Sequence, residues 1–136
     1  MRQKKKKNEF LTEVELEFMS HLWDLGEASV RDLLGALDKS RNLAYTSAAT
    51  IMRILEQKEF VTSTKRGKTF YYKALMPKDT YQTKSLRRLS DELFDNSPAT
   101  LVARLVDDQN LSEEVLEEIR VLLDGKLNDD RDKRDT

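Results

Sequence analysis

Residues 44–75 read AYTSAATIMRILEQKEFVTSTKRGKTFYYKAL, and this stretch decides the fold. From Ala44 to Lys58 the spacing is helical: Ala48, Ile51, Met52 and Leu55 form one narrow apolar stripe, expected to pack on the helices before it. Thr46, Ala49, Thr50, Arg53 and Gln57 share the opposite stripe, which is short-chained and polar and carries no acid. A helix that merely faces solvent more often carries Glu and Lys. Small hydroxyl residues beside an Arg suit a helix that lies against base edges and phosphates in a major groove. A surface of small residues with no ligand is the alternative that this pattern alone leaves open. Next come two runs rich in β-branched and aromatic residues, Phe60–Thr64 and Thr69–Leu75, with Lys65-Arg66-Gly67-Lys68 between them. That is a hairpin signal, with Phe70 and Tyr72 on one face of the second strand and Tyr71 and Lys73 on the other. Three cations in a four-residue tip are unusual for a structural turn and make sense against phosphates.

Two helices are expected upstream. Thr12 and Glu15 form a capping box, Leu11 and Leu16 a hydrophobic staple, and Gly26 stops the first helix near Leu25. Leu16, Met19 and Trp23 make one apolar stripe, with Val14, Phe18, Leu22 and Leu25 largely on the other side. A helix apolar on two sides is expected to be covered by more than its local core. Ser29 opens the second helix with Asp32 in the third position, and Val30, Leu33, Leu34 and Leu37 face inward. Ser40-Arg41-Asn42 reads as the turn before the third helix. Three helices and a basic hairpin in this order spell a winged helix-turn-helix module, with the third helix as reader and the hairpin as wing. The expected fold class is mainly α with a small β-hairpin, followed by a helical dimerisation region.

Composition narrows the function. The chain has 136 residues, enough for one domain with an appendage, and only 4 Gly and 2 Pro, too few for a loop-rich sandwich. The absence of Cys excludes disulfides, thiolate metal sites and cysteine nucleophiles, and fits a cytoplasmic location. His21, the single histidine, excludes a multi-histidine site and is expected on the polar side of its helix. No apolar run approaches the roughly 18 residues of a membrane span, and residues 1–9 lack the apolar stretch of a secretory signal, so no direct membrane binding is expected. No nucleophile–base pair, phosphate loop or metal cluster is visible, so the chain is not expected to be an enzyme or to hold a cofactor or metal. The net charge of −1 hides a division: residues 40–76 hold seven basic residues against two acidic ones, whereas residues 77–136 hold 10 against 15. A basic segment on an otherwise acidic chain fits a polyanion partner, or a solvated face that binds nothing. Lys4–Lys7 sit in an expected disordered basic tail, residues 1–9, read either as a solubilising tail or as an arm on a nucleic-acid backbone.

After Met76-Pro77 the character turns acidic and helical. Leu86, Leu89 and Leu93 form the stripe of a first helix from about Lys78 to Phe94. Ser97 and Pro98 open a second, with Leu101, Val102, Leu105 and Val106. Ser112 opens a third, with Val115, Ile119, Leu122 and Leu123 as its stripe and Leu116 forming a staple with Leu111. About 50 residues are thin for an independent core. Their apolar faces are expected to pack against a second copy, or back onto the first helix of the chain. The expected organisation is a winged-helix domain over 10–76, a helical dimerisation domain over 77–126 and a disordered charged tail over 127–136.

The stretch from Leu11 to Leu16 running on to Leu22-Trp23-Asp24-Leu25-Gly26, and the segment LAYTSAATIMRILEQKEFV from Leu43 to Val61, resemble the opening and recognition helices of the penicillinase-repressor and methicillin-resistance-repressor family. The wing and three acidic helices follow in that family's order, so the resemblance covers roughly residues 9 to 125. Its members are homodimeric bacterial repressors that bind palindromic operators with the winged domain and dimerise through the C-terminal helices. The resemblance implies the same partners here: double-stranded operator DNA and a second copy. It places Tyr45, Thr46, Ser47, Thr50 and Arg53 at the groove and Arg66 and Lys68 on the wing. With Arg41, Asn42, Ala49, Gln57 and Lys65 these make up the candidate DNA-binding set. The candidate dimer interface is Leu86, Leu89, Leu93, Leu101, Leu105, Val106, Val115, Leu116, Ile119, Leu122 and Leu123.

Four departures matter. The family usually carries Arg at the position of Ile54, whereas here Arg53 stands one place earlier. Glu59 stands where the family often has Gly, and a left-handed glutamate costs energy, so the reader helix is expected to end differently. In relatives, induction can come by proteolysis in the middle C-terminal helix, which implies a membrane sensor-protease as a further partner. The matching bond lies near Arg104-Leu105, a pair unlike the usual cleaved one. Without Cys the chain cannot sense copper through a cysteine-rich tail, as one branch of the family does. The leading expectation is a dimeric, sequence-specific repressor. The alternative is a winged-helix protein-interaction module, for which the acidic half would supply the docking face.

Overall fold

The computed structural model describes residues 10–134. The basic tail expected at residues 1–9 lies outside them. The elements run α1 (Glu13–Leu25), β1 (Glu27–Ala28), α2 (Val30–Ala36), α3 (Tyr45–Gln57), β2 (Val61–Arg66), β3 (Thr69–Ala74), α4 (Lys78–Leu93), α5 (Pro98–Val106) and α6 (Glu113–Arg134). The chain divides into two compact units, one ending at Ser85 and one beginning at Leu86.

The first unit is a winged helix. Local chemistry sets its helix starts. Thr12 accepts from the Glu15 amide while the Glu15 carboxylate accepts from the Thr12 amide, and Ser29 and Asp32 repeat the exchange at α2. Gly26, at φ 82°, turns the chain out of α1 and donates to the Leu22 carbonyl. The core joins Phe18, Met19 and Leu22 of α1 to Leu33 of α2, Ala48, Met52 and Leu55 of α3, and Phe60, Val61 and Tyr72 of the hairpin. The α3 stripe packs inward as expected. On α1 the buried face is Glu15, Phe18, Met19 and Leu22, a single stripe between the two that the spacing suggested. Leu16, Val14 and Leu25 are exposed.

Two features of the hairpin region differ from expectation. The sheet has three strands in the order β1-β3-β2, because Glu27 and Ala28 pair antiparallel with Lys73 and Tyr72. A two-residue strand is too short to show periodicity. The hairpin strands also run further toward the tip, with Lys65 opposite Phe70 and Arg66 opposite Thr69. The turn is therefore Gly67-Lys68 alone, and Gly67 takes φ 63°, which tight hairpin turns demand.

The end of α3 corrects the expectation for Glu59. Glu59 does adopt the left-handed conformation, φ 67°. The Phe60 amide donates to the Leu55 carbonyl at 2.9 Å and the Glu59 amide to the Glu56 carbonyl at 3.0 Å. This is the paired hydrogen bonding of a Schellman cap, with Phe60 buried beneath it. Those bonds and the burial of Phe60 outweigh the backbone cost.

The first unit reaches into α4, because Tyr81 is buried among Phe10, Trp23 and Phe60, with ring centroids 6.3, 6.0 and 5.8 Å away. Its hydroxyl accepts from the Leu11 amide at 2.8 Å, and the Trp23 indole donates to the Met76 carbonyl at 2.9 Å.

The second unit comprises the rest of α4 with α5 and α6. Ser97 caps α5 by accepting from the Thr100 amide, with Pro98 in the first helical position. Ser112 accepts from the Val115 amide at the start of α6. Asp95 and Asn96, both at positive φ, turn the chain between α4 and α5. α6 continues to Arg134, well past Lys126, where a frayed charged tail was expected. Arg131, Lys133 and Arg134 in its last turn favour the negative end of the helix dipole, and a Lys126–Asp130 pair spans one turn before it. Among the described residues no helix is long and apolar enough to cross a membrane.

Candidate nucleic-acid interface

α3 presents Thr46, Ser47, Thr50, Arg53 and Gln57 to solvent, with Ala49 half-buried at the edge of that face. Arg53 has no ion-pair partner among the described residues. The Thr50 hydroxyl donates to the Thr46 carbonyl at 3.0 Å, so it keeps its acceptor capacity for a ligand. Exposed Ile54 adds an apolar side chain to the same helix. α3 also starts unlike its neighbours. α1 and α2 each begin with a capping box and an acid in the first turn, whereas α3 begins at Ala44 with no side-chain cap and no acid. Its first amides and the positive end of its dipole stay unneutralised by side chains.

The wing cations are arranged less simply than a basic tip. Lys65 lies over the Phe70 ring at 5.6 Å and Arg66 over the Tyr71 ring at 4.6 Å. Arg66 is also hydrogen-bonded to Glu27, and Lys73 lies 3.9 Å from the same carboxylate. The Arg66 bond holds the Glu27 carboxyl below the usual carboxylate range, against the opposing effect of its partial burial. Lys68, at the turn itself, lines a cleft together with residues of α2 and α3. Arg41, in the loop before α3, is bound at 2.6 Å to Glu17 of α1, and Asn42 beside it is exposed.

The cleft between α2, the start of α3 and the wing encloses about 160 Å³. Arg31 and Tyr72 form part of its lining, with the Arg31 guanidinium 5.6 Å from the centre of the Tyr45 ring. Burial, then the neighbouring Glu56 carboxylate, pushes the Tyr72 phenol up, so it stays neutral. The family resemblance pointed to Tyr45 and Lys68, and nothing in the sequence pointed to Arg31. A lone cation on a short apolar helix carries no signal until the fold brings it beside the wing.

The reader helix is fastened from behind. Glu15 lies 2.6 Å from Lys58, the residue that caps the end of α3, and Lys58 also donates to the Phe10 carbonyl at 3.2 Å. Burial raises the Glu15 pKa, but the hydrogen bonds from Lys58 and Thr12 outweigh it and hold the carboxyl below its ordinary value. Among the described residues no group of three or more His, Cys, Asp or Glu could hold a metal. His21 is half-buried on α1.

The second unit presents a different kind of surface. Leu86, Leu89, Leu93, Leu105, Val115, Leu116, Leu122 and Leu123 are all exposed, with Leu122 at 71%. Leu101, Val106 and Ile119 are half-buried. Val121 and Leu127, which the expected stripes omitted, are exposed too. Ser90 is the one buried residue among the described residues of this unit. A chain that leaves so many large apolar side chains in water carries an interaction surface. Arg104 and Leu105 lie in the last turn of α5, both exposed.

A winged helix with an acid-free reader face, joined in one chain to apolar helices without a core of their own, is the build of a DNA-binding regulator. The family model described as "Penicillinase repressor" matches residues 11–125, and the chain belongs to that family. Over 116 residues it is 28% identical to an "Uncharacterized 16.5 kDa protein in ptsI 3'region" of Latilactobacillus sakei, covering 85% of this chain and 80% of that one. It is 23% identical to the methicillin resistance regulatory protein MecI of Staphylococcus aureus, covering 85% of this chain and 94% of the relative. The MecI of Mammaliicoccus sciuri matches at the same identity and coverage.

Proposed function

We propose that the protein is a sequence-specific transcriptional repressor that acts in the cytoplasm as a homodimer on a palindromic operator. The observation that carries this reading is the outward face of α3, where Thr46, Thr50, Arg53 and Gln57 stand free of any acid beside the cationic wing. Small hydroxyls allow close approach to base edges, and Arg53 supplies a fork that matches the two acceptors of guanine. The second copy is assigned to the apolar faces of the second unit. Each apolar residue fully buried there contributes roughly 1.5–3 kcal/mol before entropic costs, so a dozen suffice for a stable dimer. Family membership supports regulation rather than catalysis. Release from DNA has three candidate routes, a membrane sensor-protease, a ligand or a partner protein, and the first would place the cut near Arg104-Leu105, a pair unlike the one usually cleaved in the family. Both residues are helical, so cleavage there requires the last turn of α5 to open.

The test is fluorescence anisotropy of the purified chain on a labelled duplex of its own upstream region, beside a scrambled duplex, across a salt series. A dimer that neutralises about 6–10 phosphates loses roughly 10³–10⁵ in affinity between 50 and 200 mM salt. Tight, selective and salt-sensitive binding is expected. No DNA binding at low salt, with a stable protein complex instead, would favour the interaction-module reading.

A further inference from the structure

We infer that the cleft between α2, the start of α3 and the wing binds one phosphodiester group of duplex DNA, held between Arg31 and Lys68. The inference rests on the DNA-binding reading above and adds a contact that lies off the outer face of α3. Two cations from different elements line one small cleft, and no acidic residue is among those lining it. Asp32, next in sequence to Arg31, accepts from the Ser29 amide at 3.0 Å and is committed to the helix start. The Arg31 guanidinium lies over the Tyr45 ring, 5.6 Å from its centre, a contact that leaves its N–H groups to donate as a fork, the geometry that fits two phosphate oxygens. The hydroxyls of Ser29, Tyr45 and Thr69 border the same space and supply further donors.

The position of the cleft favours a phosphate of the duplex over a free anion. One wall is the first turn of the reader helix and another is the turn of the wing, with Lys68 and Thr69. A duplex seated on the outer face of α3 carries its backbone across that opening. Lys68 reaches the phosphate as a point charge, whereas Arg31 fixes its orientation. The pair therefore sets the register of α3 in the groove without reading a base.

The experiment uses the full chain in the anisotropy salt series, on the upstream-region duplex and the scrambled duplex. Arg31→Gln is expected to weaken both complexes by the same factor, about ten-fold or more per protomer. It is expected to reduce the log–log salt slope by about 0.9 per protomer while leaving the ratio between the two duplexes unchanged. Lys68→Gln should lower the slope similarly from the other side of the cleft, and Arg31→Lys should restore the slope. Arg120→Gln on α6 makes the same charge change outside the winged-helix unit and should leave the slope as it is. An unchanged slope in Arg31→Gln, with wild-type binding intact, overturns the phosphate clamp alone. An equal loss in Arg120→Gln overturns it too, by showing a general charge effect. Absence of salt-dependent DNA binding by the wild-type chain overturns both the clamp and the reading beneath it.

Discussion

The Glu15 carboxylate lies 2.6 Å from the Lys58 ammonium, tying the first turn of α1 to the residue that ends the reader helix. Both side chains are close to one-tenth exposed, so the pair is poorly screened. Removing one partner leaves the other charge half-satisfied in a dry place. Lys58→Met is expected to destabilise the chain by about 2–3 kcal/mol, read from urea unfolding.

The same pair sets an acid limit. A carboxyl with a depressed folded-state pKa contributes stability above its unfolded value and loses it as pH falls through the folded value. For Glu15 that window lies below the ordinary 4.5. Melting temperatures are expected to drop on acidification through this window in the wild type. Glu15→Gln should start lower at neutral pH and fall less steeply.

Glu59 gives a prediction of opposite sign. Its left-handed backbone is a conformation that glycine adopts freely and a side chain does not. Glu59→Gly is expected to stabilise the chain by about 1 kcal/mol, seen as a higher thermal midpoint, with DNA affinity unchanged.

Among the cations, the structure ranks the expected effects. Arg53 has no ion-pair partner among the described residues, so Arg53→Ala should cost about 1–3 kcal/mol of operator binding and relax selectivity. Arg66 must first leave Glu27, so Arg66→Ala should cost less. Glu27→Gln, which frees both Arg66 and Lys73, should tighten DNA binding several-fold at low salt. A loss of affinity in that variant would mean that Glu27 orients the wing rather than neutralising it.

In the second unit, Leu105→Glu and Leu122→Glu place a charge on side chains that are already 49% and 71% exposed. Neither is expected to disturb the isolated fold. Both should convert the proposed dimer to monomer in sedimentation velocity, and a surviving dimer would move the interface elsewhere.

The sequence carried the winged helix almost entirely, because its signals are local. Capping residues at Thr12 and Ser29, the apolar stripe of α3 and the aromatic strands each read from a few neighbours. What it hid was set by distant partners. β1 exists only because Glu27 and Ala28 meet Lys73 and Tyr72 across the sheet. The single buried face of α1 was masked by apolar residues around the whole helix, and packing alone shows that Leu16 is outside. The pairing of Arg66 with Glu27 joins residues 39 apart in the chain, and no spacing rule reaches that far. The place of Arg31 was hidden in the same way.

Trp23 is the only tryptophan of the chain, and its indole is fixed to the Met76 carbonyl beside Tyr81, where the hairpin gives way to α4. The protein thus carries its own optical probe at the exit from the winged domain, on a residue outside the proposed DNA-contact set. A shift in its intrinsic emission on adding operator, inducer or protease would report that the base of α4 had loosened. A silent tryptophan beside a changed DNA affinity would locate the switch elsewhere.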